Sequence, residues 1–341
     1  PGGVEKQLVV KRIAREKSRD PRFGKLFVDE ARLSMALAHK NIVPVFDFGR
    51  AGDELFLVME FVDGIDLGFA LRRSRELSLP PSPVLIAFIG LEAAQALDYA
   101  HTRVDEHGEM HGVVHRDVTP GNVLVSTSGE VKLVDFGVAS LTVDSHGDGK
   151  VRGTPSYMSP EQARGETVDG RSDLFSLGII LREALSGRRV YPGSSAEVVL
   201  KKAKACELPP LPDSAPAELR RIIDRATAAA PEERFASAKE LHRALDRYLV
   251  SARADADDDT PPTTQLANWV GELRPKKRQS QKLSAIAPVE GAVVTYLAAG
   301  PEKVQTIIGD DPSDKTMRSM AATVVEGDDS EDEQSAHLAL A

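Results

Sequence analysis

The chain has one cysteine, no long uninterrupted apolar run and no excess of positive charge, and each shortage excludes something. The lone thiol, Cys206, cannot close an intramolecular disulfide, which fits a reducing compartment. The most apolar stretch of the tail, Leu283 to Gly300, is interrupted by Pro288 and Glu290 and is rich in Ala and Gly. No signal peptide or membrane-spanning helix is therefore read. A net charge of −9 argues against non-specific nucleic-acid binding. The expectation is a soluble, cytoplasmic protein. With 341 residues, 41% of them hydrophobic, there is material for a sizeable core in one large or two modest domains.

What is present is unevenly spread. Residues 251–341 hold 16 acidic and 9 basic side chains, net −7, with Pro-Thr clusters ("TPPTTQ") and acidic runs ("EGDDSEDE"). Such a segment buries too little surface to offset its chain entropy. Residues 250–341 are therefore expected to be an acidic, low-complexity disordered tail, beginning where the amphipathic helix "LHRALDRYLV" ends near Val250. Before it, "KQLVVKRI", "VPVFDFG" and "ELFLVMEF" read as strands, with an apolar helical stripe through Phe23, Phe27 and Ala31 between the first two. After Asp66 the pattern is mainly helical. "SPVLIAFIGLEAAQALDYAH" opens on Ser82 as N-cap and Pro83 at the first helical position. "GRSDLFSLGIILREALSG" is apolar nearly all round, as a buried helix should be.

The chemistry concentrates in "HRDVTPGNVLVSTSGEVKLVDFG", residues 115–137. Phosphoryl transfer needs a divalent metal on the phosphates, a cation on the nucleotide tail and a carboxylate that orients the attacking hydroxyl. Mg²⁺ takes oxygen ligands, so Asp and Asn are the natural residues. Asp117, Asn122 and Asp135 flank the short strands "VLVS" and "VKLV". A hairpin there brings Asn122 and Asp135 to one end, with Asp117 one loop earlier.

These motifs, in order, resemble a protein kinase, and more narrowly the eukaryotic-like serine/threonine kinases of bacteria. The resemblance covers residues 1–249 and implies an α+β, two-lobe fold. A small β-rich lobe (1–62) would lack its first two strands and Gly-rich loop, and a larger helical lobe (63–249) would follow. ATP with Mg²⁺ or Mn²⁺ would bind between the lobes. On that resemblance Lys11 in "LVVK" is the ATP-binding lysine, Glu30 its helix partner and Met59 the gatekeeper. Glu60 and Val62 offer backbone bonds to adenine, and Val9 and Leu124 join Lys11 and Asp135 in the nucleotide site. Asp117 becomes the base or hydroxyl-orienting group, and Asn122 and Asp135 the metal ligands. "GTPSYMSPE" resembles the end of an activation segment, where Thr154 supports Ser or Thr acceptors, Glu161 pairs with Arg234, and Asp173 braces the catalytic loop. Arg116 can pair with an activation-segment phosphate, with Thr142, Ser145, Thr154 and Ser156 as acceptors. Thr260, Thr263, Thr264 and Thr323 are further hydroxyls in the tail, equally compatible with an inert linker.

Two positions depart from the family pattern. Thr119 stands where these kinases usually carry a lysine near the transferring phosphate. No Gly-rich loop precedes Lys11, so the chain is expected to be a fragment that binds ATP poorly and leaves Leu8–Ile13 as a sheet edge. An inactive scaffold is the alternative, supported by those two departures and opposed by Lys11, Glu30, Asp117, Asn122 and Asp135. A small-molecule kinase is opposed by the "GTPSYMSPE" platform. His107 and His111 read as solvent loop rather than metal ligands, and "RPKKRQ" as a charge run. The expected partners are protein substrates with Ser or Thr acceptors, with no nucleic acid and no membrane segment in this chain. Self-association for trans-autophosphorylation is compatible with the family.

Overall fold

The β-branched and aromatic runs near the N-terminus pair with one another as their patterns predict. The computed structural model describes residues 7–13, 18, 21–52, 54–104, 112–136, 154–193, 195–254 and 259–274. In it β1 (Leu8–Arg12), β2 (Val45–Ala51) and β3 (Glu54–Glu60) form an antiparallel sheet in the order β1-β3-β2. Leu8, Val10 and Val58 are buried together on one face. Val9 lies opposite Met59 and Lys11 opposite Leu57, so these four side chains share the other face. Among the described residues β1 is an edge strand, as expected where no Gly-rich loop precedes Lys11. Arg12 Nε donates to Glu54 Oε2 at 2.6 Å and ties the strand ends together.

The described residues fall into two compact units, one within 1–24 and 45–61, the other within 25–44 and 62–277. The second unit holds most of α1 (Pro21–Met35), then β4 (Gly64–Asp66), α2 (Leu67–Leu77), α3 (Pro83–His101), β5 (Val123–Ser126) and β6 (Val131–Leu133). α4 (Pro160–Arg164), α5 (Gly170–Ser186), α6 (Ala196–Ala205), α7 (Ala217–Ala226) and α8 (Ala238–Ala254) follow. The division differs from the expected boundary at residue 62, because residues 25–44 belong with the larger unit. The reason is backbone stitching to β6: Val43 N donates to Leu133 O and Leu133 N to Asn41 O, each at 2.8 Å. The Asn41 amide adds bonds to Val131 O at 2.8 Å and to Glu92 at 2.7 Å.

Helix starts follow the local sequence. The Asp66 carboxylate accepts from Phe69 N at 2.8 Å, and the Ser82 hydroxyl accepts from Leu85 N at 3.1 Å with Pro83 beside it. α3 and α5 are buried on nearly every face, and α3 packs against α5 and α8 in the main core. By length and composition α3 could cross a membrane, but it is the central helix of this core.

The expected tail does not begin at 250. α8 runs to Ala254, and Pro262–Leu273 forms a further helix, α9. Its Leu266, Trp269, Val270 and Leu273, spaced i, i+3, i+4 and i+7, are all buried in the main core. Each such burial contributes about 1.5–3 kcal/mol. Trp269 Nε1 donates to Leu79 O at 3.0 Å, and Arg274 pairs with Asp63 at 2.8 Å. Gly129 turns the β5–β6 hairpin at φ 82° and lies under this segment, where a Cβ would meet Thr263 O at 1.9 Å. Acidic composition averaged over the last ninety residues hides this twelve-residue apolar stripe.

Candidate active site

The β5–β6 hairpin places the two expected metal ligands. Val123 pairs with Leu133 and Val125 with Val131, and Val134 N closes the ladder on Asn122 O at 3.0 Å. Asn122 and Asp135 therefore emerge at the same end. The Asn122 amide is oriented by its neighbour: Nδ2 donates to Asp117 O at 2.9 Å and to Asp117 Oδ2 at 3.2 Å. That fixes Nδ2 as the donor and turns Oδ1 outward as an acceptor. An amide oxygen and the Asp135 carboxylate are hard oxygen donors, the set that suits Mg²⁺. Among the described residues no cluster of three His, Cys, Asp or Glu competes for a metal.

The loop carrying Asp117 is held from below. Asp173, 1% exposed in the first turn of α5, accepts from His115 N and Arg116 N, each at 2.8 Å, and from His101 Nε2 at 2.7 Å. This is the brace expected of Asp173. His115 is fully buried; its Nε2 donates to Val134 O at 3.1 Å, and its Nδ1 faces Asp117 N at 3.4 Å. These partners select the tautomer with its proton on Nε2. Phe136 packs on the ring at 4.5 Å between centroids, and Ser34 of α1 donates to Phe136 O at 3.0 Å.

Arg116 and Asp135 both adopt φ 66°, the left-handed region that costs a non-glycine residue about 1–2 kcal/mol. At Arg116 the bond from its N–H to Asp173 helps hold that conformation.

A second brace carries the platform after Thr154. Glu161 meets Arg234 in two bonds of 2.7 and 2.8 Å, as expected, and also accepts from Ser172 Oγ at 2.6 Å. Burial alone would raise the Glu161 carboxyl, but the Arg234 and Ser172 bonds outweigh it and hold the group at about 2. Gln162 completes a capping box with Ser159 and donates from Nε2 to Arg116 O at 2.9 Å. Tyr157 donates to Glu183 Oε2 at 2.8 Å, anchoring the segment to α5.

The remaining expected residues are distributed as follows. Lys11, Val9 and Glu60 belong to the smaller unit. Val62 and Leu124 are half-buried in the larger one, with Leu124 opposite Asp66 in β5. Glu30 lies on α1, its side chain outside the described residues. Thr154 is exposed at the start of a short 3₁₀ turn and Arg116 is exposed on its loop. Thr142, Ser145, His107, His111 and Thr323 lie outside the described residues. Sequence reasoning missed Ser34, His101 and Gln162. Only Gln162 carried a signal, the Ser-x-x-Gln pattern of a capping box.

Comparison with known proteins agrees with this geometry. The family described as "Protein kinase domain" matches residues 3–245. The chain is 37% identical over 279 residues to the tyrosine-protein kinase MasK of Myxococcus xanthus, covering 80% of this chain and 43% of that protein. It is 35% identical over 284 residues to the serine/threonine-protein kinase PknB of Mycobacterium tuberculosis, covering 79% and 44%. It thus spans less than half the length of these relatives. A crystal structure of the Mycobacterium tuberculosis PknI kinase domain superposes with a TM-score of 0.53 at 28% identity, over 72% of this chain and 85% of that one. With the motifs in order and the catalytic-loop geometry formed, the chain belongs to the protein kinase family, among the eukaryotic-like kinases of bacteria.

Proposed function

We propose that the protein transfers the γ-phosphoryl group of ATP to Ser or Thr hydroxyls of proteins, itself included. The observation that carries this reading is the joined arrangement of Asp117 and Asn122, with Asp135 at the same hairpin end. The Asp117 carboxylate orients the acceptor hydroxyl and takes its proton as the new O–P bond forms. The bond from the γ-phosphorus to the β–γ bridging oxygen breaks, and ADP leaves. Asn122 Oδ1 and Asp135 would hold Mg²⁺ or Mn²⁺, which supplies charge neutralisation on the phosphates. Lys11 binds the nucleotide tail, and Glu60, Val62, Val9 and Leu124 contribute to the adenine site. Thr154 favours Ser or Thr acceptors, and Arg116 pairs with a phosphate on the activation segment. The name of PknB supports that acceptor class, while the name of MasK makes tyrosine the outcome to test against.

Incubation with Mg²⁺ and γ-labelled ATP, followed by phosphoamino-acid analysis, decides the matter. Label on Ser or Thr that disappears in Asp117→Asn is the expected result. Label on Tyr alone overturns the acceptor assignment. One observation favours a scaffold instead, the neutral Thr119 beside the catalytic loop. ATP binding without any transfer would support it.

A further inference from the structure

The loop from His115 to Asp117 is gripped from several sides. Asp173 holds the N–H groups of His115 and Arg116, each at 2.8 Å. Gln162 Nε2 holds the carbonyl of Arg116 at 2.9 Å. A peptide unit is planar, so fixing its carbonyl also fixes the N–H of Asp117 and the Cα from which the Asp117 side chain departs. Arg116 sits at φ 66°, outside the wells that an L side chain prefers. Release of its carbonyl would let this peptide relax.

Gln162 uses both halves of its amide. Oε1 accepts from Ser159 N at 3.1 Å and lies 3.2 Å from Ser159 Oγ, closing the cap of α4. Nε2 is left to reach across forty-six residues of sequence to the catalytic loop. We infer that Gln162 is a positioning residue for phosphoryl transfer, tying α4 to the orientation of the Asp117 carboxylate through the Arg116 carbonyl. The inference rests on the kinase reading for its functional consequence, but the tether itself is a property of the fold. Since Gln162 is only half-buried, water can compete for the bond, and a small displacement of α4 is enough to break it. The platform after Thr154 thereby reports its position to the residue that faces the acceptor.

The two jobs of the amide separate cleanly in one substitution. Gln162→Glu keeps the acceptor that caps α4, since Glu serves this position in a capping box as well as Gln. It removes the donor and sets a carboxylate oxygen against the Arg116 carbonyl. Gln162→Ala removes both jobs. The test compares wild type, Gln162→Glu, Gln162→Ala and Asp117→Asn by melting temperature, steady-state kinetics and amide hydrogen exchange. For Gln162→Glu the expected result is an unchanged melting temperature and an unchanged KM for ATP. Its kcat should be lowered about tenfold, equivalent to about 1.4 kcal/mol in the barrier. Faster exchange at the amides of residues 115–118 should accompany it. Gln162→Ala should show the same kinetic loss with a lower melting temperature. Wild-type kcat in Gln162→Glu, or wild-type exchange at residues 115–118, overturns the inference. If wild type shows no Asp117-dependent transfer, the kinase reading has failed instead, and exchange alone decides whether Gln162 positions the loop.

Discussion

Arg234 is the most heavily committed side chain of the larger unit. It is fully buried, and all five of its N–H donors are used. Two meet the Glu161 oxygens at 2.7 and 2.8 Å. The others meet the carbonyls of Arg171 at 3.1 Å, Ala228 at 2.8 Å and Ala229 at 3.0 Å. The guanidinium also lies 4.8 Å from the Phe175 ring centroid. Lysine has three donors on one atom, so Arg234→Lys makes at most three of these five contacts and leaves two unmade. At about 1 kcal/mol for each, the loss should be about 2 kcal/mol. Removing the charge by Arg234→Met strands the Glu161 carboxylate and should cost about 3–5 kcal/mol. Buried ion pairs can often be replaced by apolar residues without loss. Here they cannot, because the carbonyls of Ala228 and Ala229 would lose their donor. The Glu161→Leu/Arg234→Met double variant should stay at least about 2 kcal/mol below wild type. Urea denaturation with linear extrapolation measures all three variants. Arg234→Lys within about 0.5 kcal/mol of wild type, or full recovery in the double variant, would refute the reasoning.

Three further outcomes follow from the same structure. The Glu161 carboxyl is held at about 2 against an ordinary value of 4.5, so the unfolded chain binds more protons in that interval. The stability it contributes is present above about pH 4.5 and lost as pH falls toward 2; Glu161→Gln should flatten that part of an acid-unfolding profile. Trp269→Ala should cost about 3–5 kcal/mol in thermal or urea unfolding, and a loss below about 1 kcal/mol would remove α9 from the core. Thr119→Lys should raise kcat about tenfold by adding a cation near the transferring phosphate, and an unchanged rate would show that the loop does not need one.

The sequence made the active site far more legible than its supports. Asn122 and Asp135 flank short strands whose pairing follows from alternation and a Ser-Gly turn, with Asp117 one loop earlier, so the hairpin end was readable. Ser82, Pro83 and Asp173 were readable because caps and buried charges depend on neighbours close in sequence or on a motif. Ser34 and His101 were not, since their partners Phe136 and Asp173 lie 102 and 72 residues away and a lone Ser or His announces neither. α9 was missed for another reason. Its four anchors have helical spacing, but twelve residues cannot outweigh the acidic composition around them. The grouping of residues 25–44 with the larger unit is a tertiary fact, set by backbone bonds to β6 that no local pattern encodes.

The central claim is that Asp117, presented by a loop braced on Asp173, directs phosphoryl transfer to protein hydroxyls. Its most direct test is the rate of label transfer from γ-labelled ATP by wild type and by Asp117→Asn. Both must be shown to be equally folded by melting temperature. The account predicts label on Ser or Thr in wild type and a fall of at least about 100-fold in the variant, the scale on which a positioned acid–base group acts. Equal labelling by the two proteins would contradict it.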